Sequence, residues 1–297
     1  MKNKVIVVVG PTAVGKTKIS IELAKYLNLD IISGDSIAIY KRLDIGSAKP
    51  TMAERDGVIH HLIDIKEPYE DYSVADFQKD ARSIIDKNPV NLMCGGTGLY
   101  IQSVIFDYQF EAKKRDDELK DKYHDLSNDE LFNLLLSKDP NIDTKKLHPN
   151  NRKRVLRALE VLDDTGNSIH NYNNKQEALY DYFIVYLSQE RELLYERINK
   201  RVDIMIDDGL VNEVTSLFDE GIYPKGIGYR EFIPYYNNEI TLESAIEEIK
   251  KNTRHLAKRQ ETWFRNQMTS NFYSVDFDNI NNTIEKIKED IDEWLNK

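Results

Sequence analysis

The first 110 residues alternate between short apolar runs and segments whose apolar positions have helical spacing. The apolar runs, which predict strands buried in a sheet, are 5–9, 31–32, 58–65 and 90–94. The helical segments are 16–27, 74–85 and a stretch from Leu99 onward. Strands that alternate with helices are typical of an α/β fold with a parallel, doubly wound sheet.

The pattern changes near residue 111. From 111 to 146 the chain is charged and has apolar residues at helical spacing, and a further helix is predicted over 150–162. Strand character returns at 182–187, and later segments predict helices over 190–219, 241–268 and 281–297 and a last strand over 272–277. We therefore expect an α/β core made of 1–110 and 182–297, with an inserted all-helical domain over 111–181.

Charge and cysteine content narrow the function classes. The chain has 41 basic and 51 acidic residues, a formal net charge of −10, so any nucleic acid must bind a local basic patch. The single cysteine, Cys94, excludes an internal disulfide and a cysteine-rich zinc site. The apolar run at 5–9 is far shorter than the roughly 18 residues of a membrane helix, so we expect a cytoplasmic protein with no membrane partner.

A phosphate-loop motif follows the first strand and opens the first helix. It fits G-x-x-x-x-G-K-[ST] and consists of Gly10, Pro11, Thr12, Ala13, Val14, Gly15, Lys16 and Thr17. Backbone N–H groups and the helix N-terminus would surround an anion, Lys16 would reach its terminal oxygens, and Thr17 would offer a hydroxyl to Mg²⁺. The motif predicts a P-loop NTPase-like parallel sheet flanked by helices and a di- or triphosphate ligand, without specifying the molecule.

Two further polar turns follow predicted strands. Asp35 comes after 31–32, where it would be either a general base or an indirect contact to Mg²⁺, and a turn or cap aspartate is an equally good interpretation. The turn 95–98 contains three glycines and Thr97, which could bond a phosphate oxygen or simply belong to a tight turn. Ligands bind at the carboxyl ends of strands in such sheets, so both turns are expected at the phosphate loop.

Basic residues cluster on the predicted helix 241–268. Lys251, Arg254, Lys258 and Arg265 share one side, opposite an apolar stripe that includes Leu256, Trp263 and Phe264, and Glu261 is expected off the cationic stripe. This favours binding of a phosphate backbone over a solvated face. A second cluster is Arg152, Lys153, Arg154 and Arg157.

Two more basic sites are predicted. Gly228, Tyr229 and Arg230 could clamp or stack on an unpaired nucleotide. Arg197 and Arg201 lie one helical turn apart and could reach a phosphate from the side opposite the loop.

These segments together resemble the tRNA dimethylallyltransferase (isopentenyltransferase) family. The matching segments, in the family's order along most of the chain, are 10–17, 33–50, 60–65, 72–77, 95–100, 148–162, 201–214, 226–231 and 258–265. The resemblance implies transfer of a dimethylallyl group from dimethylallyl diphosphate to the exocyclic amine of the adenosine 3′-adjacent to the anticodon of tRNA. Diphosphate is released, Mg²⁺ is the cofactor, and we expect a monomer.

The resemblance also implies residue roles. Lys16, Arg201 and Mg²⁺ on Thr17 would stabilise the leaving diphosphate, Thr97 would fix its oxygens, and Asp35 would accept or orient the amine proton. The residues expected to contact the anticodon stem-loop, partly through the inserted domain, are Asp35, Ser36, Ile37, Ala38, Arg152, Arg154, Arg157, Gly228, Tyr229, Arg230, Arg254, Lys258, Arg259 and Arg265.

One position departs from the family pattern D-S-x-Q-[IV]-Y. Ala38 stands where the family has the glutamine that helps hold the target adenosine. An alanine methyl makes no hydrogen bond, so we expect weaker target binding or relaxed context with the chemistry kept, and Ala38→Gln tests this.

Three rival functions remain open at this point. A prenyltransferase acting on a free adenine nucleotide would share the loop and the base but would not need the basic helix. A P-loop kinase would need ATP and an acceptor hydroxyl. A tRNA-binding module without catalysis would not need Lys16, Asp35 and Arg201 together.

Overall fold

The computed structural model describes residues 2–108, 110, 122–144, 147–169, 177–268 and 270–297. The chain forms two compact units, one made of 1–106 and 178–297 and the other of 107–177. The predicted helical segment over 111–146 lies partly outside the described residues. In the part of the chain that is described, no helix is both long enough and apolar enough to cross a bilayer.

The first unit contains a six-stranded sheet in which every pair of neighbours is parallel, as predicted. Its strands are β1 (Lys4–Val9), β2 (Ile31–Ser33), β3 (His60–His61), β4 (Val90–Gly95), β5 (Asp181–Ser188) and β6 (Asn271–Ser274). Their spatial order is β3-β2-β4-β1-β5-β6, so β1 lies in the interior between β4 and β5.

The first unit also contains helices, several of which flank this sheet. They are α1 (Lys16–Leu27), α2 (Met52–Arg55), α3 (Val74–Ile85), α4 (Gly98–Ile105), α7 (Arg191–Asp207), α8 (Leu210–Asp219), α9 (Ile233–Tyr236), α10 (Leu242–Gln267) and α11 (Ile280–Leu295), and a 3₁₀ turn spans Arg230–Phe232. The second unit contains α5 (Asn128–Lys138) and α6 (Arg152–Thr165), which bury Leu131, Leu135, Val155 and Leu159 against each other.

The β1 side chains explain why a continuous apolar run forms the sheet centre. Val5, Val7 and Val9 pack into one hydrophobic cluster, and Ile6 and Val8 pack into another. Successive side chains of a strand point to opposite faces, so helices must cover both faces of the sheet. The carboxyl end of β1 then leads directly into the phosphate loop.

Three predicted elements differ from the observed ones. The strand expected over 58–65 is only His60–His61, and the one expected over 272–277 ends at Ser274. The helical stretch 190–219 is two helices, because Gly209 adopts φ +100° between them, a conformation that helical residues avoid.

Candidate active site

A cavity of about 440 Å³ lies in the first unit, against the carboxyl ends of β1, β2 and β4. Four residues predicted from separate parts of the sequence, Lys16, Asp35, Thr97 and Arg201, all line it. Ser36, Ile37 and Gly228 also line it. These residues therefore meet at the carboxyl ends of the parallel strands, where such sheets bind their ligands.

The phosphate loop has the backbone conformation of an anion cradle. Ala13 and Gly15 have φ +65° and +96°, and alternation of left-handed residues with right-handed ones turns successive N–H groups inward. Thr12, Ala13 and Lys16 line the cavity, whereas the Val14 side chain is fully buried in the core and Pro11 lines a neighbouring cavity.

Lys16 lies folded over this loop. Its Nζ donates hydrogen bonds to the carbonyls of Gly10 (3.0 Å) and Pro11 (2.8 Å). Burial, which disfavours the charged ammonium, lowers the pKa of Lys16 to about 8. A dianionic or more highly charged ligand beside Nζ would supply the missing counter-charge.

Asp35 fits both interpretations of its sequence position. Its Oδ1 accepts hydrogen bonds from the N–H groups of Ile37 (2.8 Å) and Ala38 (3.2 Å), which is an aspartate-held turn. The same carboxylate lines the cavity. The turn therefore orients the carboxylate, with Oδ2 available for a ligand.

Ala38 itself does not line the cavity. Its side chain is 4% exposed, and its backbone N–H belongs to the Asp35 turn. The effect of Ala38→Gln stays a prediction, and the larger side chain would first have to find space in a buried position.

Thr97 joins two of the turns at the cavity. Its Oγ1 accepts a hydrogen bond from the Ser36 N–H (3.2 Å), and its own N–H donates to the Gly34 carbonyl (3.2 Å). These bonds fix the β2 turn to the β4 turn, so Asp35 and Thr97 keep a constant separation.

The two arginines of α7 have different surroundings. Arg201 lines the cavity and donates to the Ala48 carbonyl (3.3 Å), and burial lowers its pKa from the ordinary value. Arg197 instead donates from Nε to the Ala13 carbonyl (3.0 Å), and its guanidinium lies 3.4 Å from the Phe277 ring centroid. Arg197 thus supports the phosphate loop from outside the cavity.

Gln260 was missed as a site residue in the sequence. Its Oε1 accepts a hydrogen bond from the Thr12 N–H (2.9 Å), and its Nε2 donates to the Gly96 carbonyl (3.0 Å). It belongs to the segment 258–265 that resembles the family, but a glutamine in a long helix carries no local signal of this contact. Leu256, Trp263 and Phe264, expected only in the apolar stripe, line the cavity as well.

The cationic stripe of α10 needs correction. Lys251 pairs with Glu248 and Arg265 pairs with Glu261, each at 2.9 Å, so Glu261 is part of this surface. Arg254 donates to Asn199 Oδ1 (2.6 Å), and Lys258 lines the neighbouring cavity. The surface therefore has mixed charge. Arg259, which is not part of this stripe, is exposed and lines the active-site cavity.

Tyr229 is not available to stack on a nucleotide, contrary to the sequence prediction. It is fully buried, and its hydroxyl donates to Glu213 Oε1 (2.8 Å). The Glu213 carboxylate also accepts from the N–H groups of Asp44, Ile45 and Gly46, so this pair holds a loop beside the cavity. Arg230 is exposed and pairs with Glu231 (2.8 Å).

The basic residues clustered at the start of α6 in the second unit also differ from one another in their contacts. Arg152 donates to the backbone carbonyls of Tyr123 (3.2 Å), His124 (2.9 Å) and Leu126 (2.5 Å), which makes it a structural residue. Arg157 pairs with Glu160 (3.2 Å). Lys153 and Arg154 are exposed.

No cluster of three or more His, Cys, Asp or Glu side chains suited to a metal occurs among the residues described above. Thr17 is half-buried at the start of α1 and does not line the cavity itself.

Burial raises the pKa of Cys94, which packs against the core as a small apolar residue.

A parallel sheet flanked by helices, with a phosphate loop after its first strand and a fixed carboxylate at the same cavity, defines a P-loop α/β protein. The sequence model of the family described as IPP transferase matches residues 38–267, and that described as isopentenyl transferase matches residues 3–67. The chain therefore belongs to the IPP transferase family and is an enzyme of the transferase class.

Individual relatives agree with this assignment. The chain is 47% identical to a tRNA dimethylallyltransferase of Anoxybacillus flavithermus, with 94% of this chain and 93% of that protein covered. It is 46% identical to one of Enterococcus faecalis, with 99% and 98% covered. The expected family resemblance is confirmed.

Solved structures are similar over the same extent. The tRNA isopentenylpyrophosphate transferase of Bacillus halodurans matches with a TM-score of 0.72 at 42% identity, covering 98% of each chain. A eukaryotic dimethylallyltransferase acting on tRNA matches with a TM-score of 0.79 at 30% identity, covering 92% of this chain and 74% of that one. The α/β fold class predicted from the sequence is confirmed.

Proposed function

We propose that this enzyme transfers the dimethylallyl group of dimethylallyl diphosphate to the exocyclic amine of the adenosine 3′-adjacent to the anticodon of tRNA. The observation that supports this most directly is the convergence of Lys16, Asp35 and Arg201 on one cavity. Two cations suit a diphosphate, and a carboxylate suits an amine that must lose a proton. The named relatives are tRNA dimethylallyltransferases.

The donor end of the cavity holds the diphosphate. The inward N–H groups of the phosphate loop, Lys16 and Arg201 surround its oxygens. As the bond between the allylic carbon and the bridging oxygen breaks, negative charge grows on the leaving diphosphate. Cations already fixed in a buried site stabilise that charge without reorganising. Thr97 bonds an oxygen of the same group.

The acceptor end holds the amine. The nitrogen attacks the allylic carbon, a C–N bond forms, and one amine proton passes to Asp35. Hydrogen bonds from Ile37 and Ala38 to Oδ1 keep the carboxylate oriented while Oδ2 accepts the proton. The adenosine must leave its base stack to reach this position, at a cost of a few kcal/mol.

Mg²⁺ fits this site as a cofactor held mainly by its substrate. Mg²⁺ usually keeps several waters and is bound through one or two carboxylates plus substrate phosphates, so the diphosphate would supply most of its ligands and the Thr17 hydroxyl at most one. When bound, it would neutralise charge on the diphosphate. The Thr17 hydroxyl has no other role in this proposal, and the Lys16 ammonium supplies the fixed positive charge beside it.

The anticodon stem-loop would bind exposed cations rather than a uniformly basic face. Arg259 is exposed at the cavity, and Lys153 and Arg154 are exposed on the second unit. We propose that the inserted unit contacts tRNA. A monomeric enzyme and a cytoplasmic location stay predictions.

Transfer of radiolabelled dimethylallyl diphosphate to an anticodon stem-loop RNA, with Mg²⁺ present, tests this function. A matched RNA has inosine, which has no exocyclic amine, at the target position. Label on the adenosine RNA and not on the inosine RNA is expected. Label on free AMP alone would assign the chain to nucleotide prenyltransferases, and ATP turnover without transfer would make it a kinase or hydrolase.

A further inference from the structure

One N–H group of the phosphate loop is already hydrogen-bonded to a distant part of the chain. The Thr12 N–H donates to Gln260 Oε1 (2.9 Å), although Gln260 lies 248 positions further along the chain. The other end of the same amide donates to the Gly96 carbonyl (3.0 Å). Gln260 therefore spans the gap between the phosphate loop and the β4 turn with one hydrogen bond to each.

The backbone around Gln260 is shaped to admit it. A Cβ added at Gly96 would lie 2.4 Å from Gln260 Nε2, so a side chain there would require the amide to shift. One turn along α10, Trp263 covers Gly98 in the same way, with a Cβ at Gly98 only 2.2 Å from the ring. The helix is thus packed closely against the turn, and the two hydrogen bonds hold the Gln260 side chain between the turn and the phosphate loop.

This position limits the length of the phosphate chain that the loop can hold. Phosphate loops of this sequence commonly take triphosphates, with the lysine reaching the last two phosphates. Here the position of a Cβ on Gly96 is 3.8 Å from Lys16 Nζ, so the space between Lys16 and the β4 turn borders the Gln260 amide. A third phosphate that extends past Lys16 toward Gly96 must displace Gln260 and break both of its hydrogen bonds.

We propose that Gln260 is a specificity-determining residue that restricts the phosphate loop to diphosphates by occupying the Thr12 N–H and the space next to it. This rests on the proposed function only in that a diphosphate is the natural donor. Gln260 accordingly acts on the choice of donor and not on the transfer step. The same residue explains how a loop with the sequence of a triphosphate site can serve a prenyl diphosphate.

Binding of inorganic pyrophosphate and inorganic tripolyphosphate, each with Mg²⁺, tests the proposal by calorimetry without any transfer reaction. The wild-type protein is expected to prefer pyrophosphate. Gln260→Ala is expected to raise the affinity for tripolyphosphate relative to pyrophosphate about tenfold, because the Thr12 N–H is released from its competing hydrogen bond. Gln260→Glu puts a negative charge beside the anion and is expected to weaken both.

A matched control separates specificity from structure. Gln267→Ala makes the same substitution at an exposed position of the same helix and is expected to change neither affinity. A Gln260→Ala protein that binds both anions more weakly by the same factor would overturn the proposal, as would a wild-type protein that binds tripolyphosphate as tightly as pyrophosphate. Because this experiment measures anion binding and no transfer, its result can be interpreted even if the enzyme does not modify tRNA.

Discussion

The Asp35 carboxylate combines a turn-forming oxygen with an oxygen available for substrate. Asparagine keeps the Oδ1 acceptor for the N–H groups of Ile37 and Ala38 but cannot accept a proton at this pH. Asp35→Asn is therefore expected to lower the rate of transfer to RNA by about 10²- to 10⁴-fold with little change in the RNA dissociation constant. Single-turnover kinetics and a binding titration measure the two quantities.

Asp276 offers a control for this substitution. Its Oδ1 accepts from the Asp278 N–H (3.0 Å), a comparable turn outside the cavity. Asp276→Asn should leave the transfer rate unchanged. If Asp35→Asn transferred at the wild-type rate, the carboxylate would belong to the turn alone and another group would have to accept the proton.

Lys16 gives diphosphate binding a pH dependence. Burial holds its pKa at about 8, below its usual value of 10.5, so the ammonium is present below pH 8 and is lost above it. A diphosphate binds the ammonium form, so the dissociation constant of inorganic pyrophosphate should rise about tenfold between pH 7 and pH 9. Isothermal titration calorimetry at fixed Mg²⁺ measures this.

Pyrophosphate also changes its own protonation with pH, and the same measurement on the Lys16→Arg variant corrects for that change. A guanidinium stays charged across this range, so the ratio of the two dissociation constants isolates the lysine. If the ratio of the two dissociation constants did not change from pH 7 to pH 9, Lys16 would keep its proton over this range. Its surroundings would then offset the effect of burial on its pKa.

At the scale of elements, α10 is the helix that closes the cavity against the β4 turn. Its side chains at 256, 259, 260, 263 and 264 line the cavity, while Lys258 and Glu261 line the neighbouring one. Helical periodicity predicted the helix and its apolar stripe. It did not predict that part of the stripe covers a ligand site, because spacing shows which residues share a face and not what that face meets.

Close packing of α10 on the turn predicts a steric requirement at Gly98. Gly98→Ala would place a Cβ 2.2 Å from the Trp263 ring, and we expect a loss of about 1–3 kcal/mol in the free energy of unfolding. Urea denaturation measures it. The double variant with Trp263→Ala should be less destabilised than the sum of the single variants, because each relieves the other's contact.

Gly34→Ala serves as the comparison in the same region. Its Cβ would meet nothing closer than Ile101 at 3.4 Å, an ordinary contact, so its unfolding midpoint should stay near that of the wild type. Equal stability of Gly98→Ala and the wild-type protein would show that α10 can move away from the turn.

At the scale of the whole molecule, an acidic protein must bind an acidic substrate. The net charge of −10 repels RNA at long range, and several cations of α10 are neutralised by glutamates on the same helix. RNA binding therefore depends more on where the remaining exposed cations lie than on how many there are. Arg259, exposed at the cavity, is the residue at which this can be measured.

Arg259→Ala is expected to weaken binding of the anticodon stem-loop and to reduce the slope of log affinity against log salt by about 1, because one phosphate contact is lost. Fluorescence anisotropy across a salt series measures the slope. Arg42→Ala is the control, since that exposed guanidinium is held by both oxygens of Glu220 (2.7 and 2.6 Å). Identical slopes for the two variants would place the RNA contacts elsewhere.

The sequence by itself predicted the parallel sheet, the phosphate loop and the two further turns at the cavity. Each depends on local rules. A continuous apolar run forms a strand buried on both faces, a glycine-rich turn before a helix holds an anion, and the carboxyl ends of parallel strands meet at one edge. Lys16, Asp35 and Thr97 follow from these rules without knowledge of distant contacts.

Only the tertiary structure decided which polar side chains are free for a substrate. Tyr229 and Arg152 are residue types that RNA-binding sites commonly use. In the structure, however, Glu213 accepts the hydrogen bond of the Tyr229 hydroxyl, and three backbone carbonyls accept those of the Arg152 guanidinium. Gln260 has no local signal, yet it meets Thr12 across 248 positions of chain. A side chain's role depends on the partner that folding brings to it, and a buried polar group must be satisfied by whatever lies there.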